Sequence, residues 1–188
     1  MNPILKGGVR ILRPREYEAL REAIPKMHHQ IILDTALFTG MRWVELQRFK
    51  NHPEWYDPNT GTIYLPPEAS RKKKRTLKER YVYLSSRGKA IIPLFLKMKE
   101  DLPSRIAWNE NLKRWGAKAG IGSIGLCAKT TRKTWESWLI TSFPERSILI
   151  AMSQGHTEIT AMKHYLNLPF TEEDIRKIKE YTSGFGGV

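Results

Sequence analysis

The stretch QGHTEITAMKHYLN, residues 154–167, places His156 nine residues before Tyr165. A phenol becomes a nucleophile when a neighbouring base takes its proton, and histidine is the side chain most often used for that transfer. The same stretch is also compatible with a helix on which Tyr165 packs as a half-buried aromatic and His156 acts as a cap. A functional interpretation therefore depends on whether the chain supplies the partners that a tyrosine nucleophile needs.

Attack of a tyrosine on a phosphodiester requires positive charge around the phosphorus. The five-coordinate species carries extra negative charge, and two arginines that each fork onto two oxygens are suited to stabilise it. The candidates are Arg42 in FTGMRWVELQRF and Arg132 in AKTTRKTW, with Lys129 one helical turn before Arg132. Each could also be an ordinary surface cation. Glu45, one turn after Arg42, is expected to orient that arginine rather than to contact a ligand.

Helical patterns account for most of the chain and position these candidates. Pro14 begins one helix, and Gly40 ends a second, buried helix, so that Arg42 falls at the start of a third. Ser104 and Thr171 are in the capping positions of two later helices. The remaining helical segments are GKAIIPLFLKMKEDL, RIAWNENLKRWGAKAG, AKTTRKTWESWLITSF and PERSILIAMSQ.

The apolar positions predict which helix faces are buried. In the helix that follows Ser104, the spacing predicts inward side chains at Ile106, Leu112 and Trp115. The helix that carries Arg132 has one apolar stripe, and its tryptophans are expected to belong to the core rather than to stack on nucleic-acid bases. The members of this stripe are Trp135, Trp138 and Leu139.

Two β-branched and aromatic runs, GTIYLP and ERYVYLS, predict the strands of one small hairpin. The connection between them is very basic: residues 71–80, RKKKRTLKER, contain seven basic residues and one acid. We find no internal repeat and no clear linker. The sequence therefore predicts a single domain that is mainly α with a small antiparallel β-sheet, an α+β fold.

Charge is the most informative property of the composition. The 188 residues include 32 Lys and Arg against 19 Asp and Glu, which gives a net charge of +13 and a pI near 9.9. This balance favours nucleic acid as a partner, and no basic amphipathic helix favours a membrane instead. Cys127 is the single cysteine, which fits a reducing compartment such as the cytoplasm. The histidines and Cys127 lack zinc-ligand spacing, so no metal and no cofactor is expected.

Taken together, the segments around these candidates resemble the tyrosine recombinase family, also called the phage integrase family. TGMRWVEL resembles its first arginine box, KTTR stands where the family usually has His-x-x-Arg, and SQGHTEITAMKHYL resembles its Gly-His…Tyr ending. The order of arginine, hairpin lysine, second arginine, histidine and tyrosine also matches. The resemblance runs from roughly Pro14 to Tyr181. It implies one catalytic domain over residues 1–188, without the family's N-terminal core-binding domain.

The resemblance implies a site-specific DNA recombinase or integrase that cleaves and rejoins DNA strands through a 3′-phosphotyrosyl intermediate. Tyr165 would attack the scissile phosphate, and His156 would assist proton transfer at that tyrosine. Arg42 and Arg132 would stabilise the transition state. The implied partner is double-stranded DNA at attachment sites. The chain would be a homotetramer on DNA and a monomer or weak oligomer when free.

In this family the lysine that protonates the leaving oxygen lies in the turn of the hairpin. Lys72, Lys73, Lys74 and Lys78 qualify by position, and Lys72 and Lys74 point to one side if the strand continues. We favour Lys72, then Lys74, and expect the others to bind backbone phosphates. Lys129 replaces the family's usual histidine, which suggests an archaeal or archaeal-virus integrase. Lys129 either transfers a proton or binds phosphate.

Two other functions fit the same sequence. A type IB topoisomerase uses the same chemistry on one duplex, without strand exchange. A non-catalytic basic DNA-binding protein would use only the charge, and His156 and Tyr165 would then be packing residues. Formation of a covalent protein–DNA adduct separates the catalytic functions from the non-catalytic one.

Overall fold

The structure is a computed structural model of the chain, and it describes residues 2–69, 79–156 and 168–187. Helices dominate this described part, in which there are eight α-helices and three short 3-10 helices. The α-helices are α1 (Pro14–Ala23), α2 (Met27–Thr39), α3 (Trp43–Lys50), α4 (Ser86–Lys97), α5 (Arg105–Lys118), α6 (Thr130–Ser142), α7 (Ser147–Gln154) and α8 (Glu172–Thr182). The 3-10 helices are Pro53–Trp55, Pro67–Ala69 and Pro144–Arg146.

Local sequence signals set several helix ends. Pro14 occupies the first turn of α1, where its missing N–H costs nothing. Gly40 ends α2 in the left-handed conformation, with φ of 60°. The Ser104 and Thr171 hydroxyls each accept a hydrogen bond from the backbone N–H three residues later, at 3.2 and 3.1 Å. These four residues confirm the helix ends predicted from the sequence.

Five short strands form two antiparallel sheets in the described chain. They are β1 (Ile4–Lys6), β2 (Val9–Ile11), β3 (Tyr56–Asp57), β4 (Thr62–Leu65) and β5 (Arg80–Tyr83). β1 pairs with β2, and β4 lies between β3 and β5. The pairing of Ile63 with Val82 confirms the predicted hairpin. The β1–β2 hairpin, which turns through Gly7 and Gly8 at φ of 52° and 71°, and the two-residue strand β3 are additional to it.

Helix α6 lies at the centre of the hydrophobic core, where it packs against α2, α8 and β2. Trp135, Trp138 and Leu139 are fully buried, as the apolar stripe predicts. The Trp138 indole Nε1 also donates a hydrogen bond to the Leu12 carbonyl at 3.0 Å. Because α6 is fixed on three sides, a side chain on its remaining face is held in a defined position.

Helix α5 presents a different face from the one predicted at its start. Leu112 and Trp115 are buried, but Ile106 is 73% exposed, so the prediction of an inward Ile106 is wrong. Ile106 lies in the first turn of α5, and that turn borders an open cleft instead of the core. Trp108, two residues later, takes the buried position and stacks on Trp43 with ring centroids 4.9 Å apart.

The observed architecture is mainly α with small antiparallel sheets, and it confirms the fold class predicted from the sequence. Within residues 2–69, 79–156 and 168–187, no helix has the length and apolar character needed to cross a bilayer.

Candidate active site

Four of the predicted site residues line a single cleft of about 790 Å³. They come from three places in the chain: Arg42 at the start of α3, Lys129 and Arg132 at the start of α6, and His156 just after α7. Lys72, Lys74 and Tyr165 lie outside the described residues. The other residues that line the cleft are Trp43, Val44, Gln47, Ser104, Arg105, Ile106, Ala128, Lys133 and Glu136.

Arg42 is held at the N-terminus of α3 by a reciprocal contact with Glu45. The Glu45 carboxylate accepts hydrogen bonds from the Arg42 backbone N–H and from its Nη1, both at 2.8 Å. The other guanidinium nitrogen, Nη2, donates to the Gly155 carbonyl at 3.3 Å. The Arg42 side chain nevertheless remains 40% exposed. The expectation that Glu45 orients Arg42 is therefore confirmed, and the oriented guanidinium still faces the cleft.

Glu45 itself is completely buried and has a second arginine partner, Arg80 of β5. Two guanidinium nitrogens of Arg80 donate to the two Glu45 oxygens, each at 2.8 Å, in the forked geometry typical of strong arginine–carboxylate pairs. Burial by itself raises the pKa of Glu45, but the hydrogen bond and charge of Arg80 outweigh it. With the added charges of Arg42 and Arg132, they lower the pKa of Glu45 to about 2.

Arg132 is fixed by backbone carbonyls rather than by a carboxylate. Its Nη1 donates to the Gly40 carbonyl at 2.8 Å, and its Nη2 donates to the Gln154 carbonyl. These carbonyls lie at the C-terminal ends of α2 and α7, where backbone C=O groups lack intrahelical partners and carry partial negative charge. A Cβ at Gly40 would stand 2.4 Å from the Gln154 side chain, so the glycine allows this close approach of the two helix ends.

The electrostatic surroundings of Arg132 are dominated by other arginines. Burial lowers the pKa of Arg132 most, and the charges of Arg42 and Arg80 lower it further, to about 9. Glu45 and Glu136 act in the opposite direction but do not compensate. A phosphate group between Arg42 and Arg132 would relieve this repulsion, because its negative charge would face both guanidinium groups.

Lys129 occupies the N-cap position of α6, and its side chain makes no hydrogen bond to any described residue. It borders the cleft together with Arg132, as the one-turn spacing predicts. Lys133, one residue after Arg132, also lines the cleft and donates from Nζ to the Lys6 carbonyl at 2.8 Å. The start of α6 therefore contributes three cations to one wall of the cleft.

His156 follows the left-handed residue Gly155 that ends α7. The Gly155 N–H donates to the Met152 carbonyl at 3.0 Å and the His156 N–H to the Ala151 carbonyl at 2.9 Å, which is the Schellman pattern of a helix end. This tight turn directs His156 into the cleft. Its imidazole Nε2 lies 2.8 Å from Oε1 of Glu136, a carboxylate on α6 that is only 1% exposed.

Sequence reasoning missed two residues of this arrangement, Arg80 and Glu136. In the sequence Arg80 is one of the seven basic residues of the connection 71–80 and begins the strand run ERYVYLS, yet its side chain is mostly buried against Glu45. Glu136 lies within TWESW, where the tryptophan stripe signals a core helix face. Its position four residues after Arg132 was the available signal, because residues i and i+4 share a helix face.

In the part of the chain that the structure describes, no group of three or more His, Cys, Asp or Glu side chains is arranged to hold a metal ion. The cleft instead concentrates nitrogen donors, and such donors are suited to binding the oxygens of phosphate groups. The arrangement can therefore bind a phosphodiester and stabilise charge that develops on it.

The chain has the fold of a tyrosine recombinase catalytic domain. The crystal structure of XerA recombinase superimposes with a TM-score of 0.64 at 19% identity, over 96% of this chain and 66% of that one. The XerH site-specific recombinase bound to palindromic difH substrate, in a post-cleavage complex, gives 0.59 at 16% identity, over 93% of this chain and 52% of that one. The pre-cleavage complex of XerH with difH substrate gives a TM-score of 0.59 at 18% identity, over 82% of this chain and 49% of that one.

Sequence comparison adds nothing to this structural similarity. No protein-family model matches the chain, and no curated protein matches it. The chain spans between about half and two thirds of the length of the recombinases to which its fold is similar.

Proposed function

We propose that this chain is the catalytic part of a site-specific DNA recombinase that cleaves and rejoins strands through a covalent tyrosine–phosphate bond. The observation that carries the proposal is the convergence of Arg42, Lys129, Arg132 and His156 on one cleft. The sequence patterns around these four residues indicate phosphate chemistry, and the residues come from three separate places in the chain. The similarity of the fold to XerA and XerH supports the same function.

In the proposed reaction, the Tyr165 oxygen attacks the scissile phosphorus and the bond to the 5′-oxygen breaks. A 3′-phosphotyrosyl bond and a free 5′-hydroxyl result. Arg42 and Arg132 stabilise the negative charge of the transition state, and His156 accepts or relays the phenol proton. In the second step another 5′-hydroxyl attacks the phosphotyrosyl bond and releases the tyrosine. The covalent bond conserves the energy of the cleaved one, so no nucleotide cofactor is needed.

The proposed substrate is double-stranded DNA, bound mainly through its phosphates. A net charge of +13 supports this partner, because each neutralised phosphate releases counterions and favours binding. XerH is described in complex with a difH substrate, which also supports it. We propose a homotetramer on two duplexes, in the cytoplasm of the host cell. Lys129, in place of a histidine, supports an archaeal or archaeal-virus origin.

A nicked suicide substrate tests the proposal. Cleavage near a nick releases a short fragment that diffuses away, so the covalent intermediate accumulates and survives denaturing electrophoresis. The wild-type chain should form this adduct, whereas Tyr165→Phe should form none and still bind DNA with nearly unchanged affinity. A chain that binds the substrate but gives no adduct would be a non-catalytic DNA-binding protein, and an adduct that persists in Tyr165→Phe would contradict the choice of nucleophile.

A second substrate identifies the lysine that protonates the leaving oxygen. When sulfur replaces the bridging 5′-oxygen, the leaving thiolate needs no proton from the protein. Lys72→Ala should therefore cleave normal DNA slowly and recover on the sulfur substrate. If Lys74→Ala recovers instead, Lys74 rather than Lys72 is the lysine that protonates the leaving oxygen. If neither variant recovers, Lys129→Ala is the next to test, because Lys129 lines the cleft.

A further inference from the structure

Glu136 is the only acidic side chain among the described residues that line the cleft. The charged and titratable groups around it come from α3, α5, α6 and the turn after α7. Five are cations, and the sixth is His156. The cations are Arg42, Arg105, Lys129, Arg132 and Lys133. A carboxylate in such a place opposes the binding of a polyanion, so its presence needs a local explanation.

Neutralising the neighbouring cations is one such explanation. Glu136 does favour the charged forms of Arg132 and Lys133. Neither cation depends on it for a hydrogen bond, however. Arg132 is held by the Gly40 and Gln154 carbonyls and Lys133 by a backbone carbonyl of β1. The close partner of Glu136 is instead His156, 2.8 Å away.

The contact between Glu136 and His156 is close but not yet well directed. Glu136 Oε1 and His156 Nε2 are both shielded from solvent, and neither has a hydrogen bond of good geometry within the described residues. Such misalignment is common in free enzymes, in which catalytic hydrogen bonds often shorten and align only when the substrate binds.

The other ring nitrogen of His156 is available to the cleft. The His156 side chain is 24% exposed, and none of that exposure belongs to Nε2. Nδ1 makes no hydrogen bond to a described residue and is not among the buried atoms. Because a carboxylate can only accept, a hydrogen bond between Glu136 and Nε2 places the imidazole proton on Nε2. It leaves Nδ1 as a proton acceptor.

We propose that Glu136 is a positioning residue for His156. The Glu136 carboxylate holds the imidazole with its proton on Nε2 and with the basic Nδ1 facing the reacting groups. This inference rests on the proposed function. The phenol proton moves to Nδ1 as the oxygen–phosphorus bond forms, and the ionised carboxylate stabilises the resulting imidazolium. In this proposal the Glu136 carboxylate orients the imidazole and does not itself take up the phenol proton, which is the role of the buried carboxylate in a serine-protease triad.

The test separates rate from affinity. Glu136→Gln should slow single-turnover adduct formation on nicked DNA at least roughly tenfold, which is less than the loss expected from removing the proton acceptor itself. The same variant should bind the DNA as tightly as the wild type or more tightly, because one negative charge has left the cleft. Glu110→Gln, which removes an exposed carboxylate of α5, is the matched control and should change neither quantity.

A double-mutant cycle tests whether Glu136 affects the cleavage rate through His156. If Glu136 acts through His156, Glu136→Gln should add little to the loss already caused by His156→Ala. Full additivity of the two losses would overturn the proposal. A Glu136→Gln variant with tighter binding and an unchanged rate would overturn it as well, in favour of simple charge neutralisation.

A spectroscopic measurement needs neither a variant of Glu136 nor activity. In the wild-type chain labelled with ¹⁵N-histidine, at a pH where the imidazoles are neutral, the His156 signal should be that of the Nε2–H tautomer. The His156→Ala spectrum assigns this signal among the five histidines. A predominant Nδ1–H tautomer would overturn the inference. Absence of any adduct from the wild type would instead contradict the proposed function, so the two failures are distinguishable.

Discussion

The buried carboxylates Asp34 and Glu45 belong to two polar networks that differ in their balance of charge. Asp34, between α1 and α2, accepts hydrogen bonds from Tyr17 Oη at 2.7 Å and from Arg21 Nε at 2.9 Å. Burial outweighs these partners and raises the pKa of Asp34. Around Glu45 the outcome is reversed, and its pKa falls to about 2 because of the arginines near it.

The difference distinguishes a structural network from a site prepared for an anion. One arginine, Arg21, forms an ion pair with Asp34, and the charge of Arg87 acts on it without a hydrogen bond. Near Glu45 there are three arginines, and their mutual repulsion contributes to the lowered pKa of Arg132. Such an excess of positive charge is unfavourable in the free protein, and it is compensated when a phosphate binds. The cleft, rather than the Asp34 network, is therefore where we expect substrate chemistry.

The largest effects should come from removing the arginines of the cleft. Arg42→Ala and Arg132→Ala should each slow single-turnover cleavage of nicked DNA by roughly 10²-fold or more, because each removes donors to a developing charge. Arg→Lys at either position should restore little, since lysine cannot fork across two oxygens.

Arg21→Ala is the matched control in the Asp34 network. It should destabilise the fold while leaving the cleavage rate per folded molecule unchanged. Near-normal cleavage by the Lys variants of Arg42 and Arg132 would indicate simple charge neutralisation, and it would remove the distinction between the two networks.

The pH dependence of stability should have opposite signs in the two networks. The folded-state pKa of Glu45 is lowered from 4.5 to about 2. Ionised Glu45 therefore contributes on the order of 3 kcal/mol above pH 4.5, and this contribution is lost as the pH falls toward 2. The difference in the free energy of unfolding between the wild type and Glu45→Gln should therefore become smaller as the pH falls over that range.

Asp34 should behave in the reverse way. Because its folded-state pKa is raised, the wild type should gain stability relative to Asp34→Asn as the pH falls. Denaturant unfolding of the three proteins at several pH values measures both differences. Parallel pH profiles for the two variants would contradict the contrast between the networks.

A smaller effect is expected from Tyr17→Phe, which removes one hydrogen bond to Asp34. The loss should lower the free energy of unfolding by roughly 1–3 kcal/mol, because a buried carboxylate loses a donor. Chemical denaturation measures this change. Cleavage by the folded variant should be unaffected, and a cleavage defect without loss of stability would place the Asp34 network in the reaction.

The smallest effect concerns Lys129 as a phosphate-binding residue. Lys129→Ala should reduce the slope of log affinity against log salt by about one. Lys179→Ala, which removes an exposed cation of α8 outside the cleft, should leave that slope unchanged. Fluorescence anisotropy at several salt concentrations measures both slopes, and equal slopes for the two variants would remove Lys129 from the DNA contact.

Local signals made much of the fold predictable. Four helix ends are set by residues whose interactions stay within one helical turn, so the sequence alone is enough to predict them. These residues are Pro14, Gly40, Ser104 and Thr171. Pro93 is a contrary local signal, because it lies exposed inside α4 although its ring disfavours a helix interior, while its neighbours Ile92 and Phe95 are buried in the core. The β1–β2 hairpin escaped prediction because each strand has three residues, too few for an alternating pattern.

The site was predictable only in part, for a physical reason. Arg42, Arg132 and His156 stand in sequence patterns that can be recognised locally. The partners that hold them depend on tertiary structure: Arg80 reaches Glu45 across 35 positions of sequence, and two helix ends present the carbonyls that fix Arg132. The wrong prediction for Ile106 has the same cause. The periodicity of α5 indicates a buried side chain there, but tertiary structure places the first turn of α5 beside the cleft and leaves Ile106 exposed.

The most direct test of the proposed chemistry is to identify the bond that joins protein and DNA. The trapped adduct is digested with protease and nuclease, and the modified peptide is sequenced by mass spectrometry. We expect a nucleotide attached through its 3′-phosphate to Tyr165, and a free 5′-hydroxyl on the released strand. Attachment to another residue, or through a 5′-phosphate, would contradict the proposed mechanism.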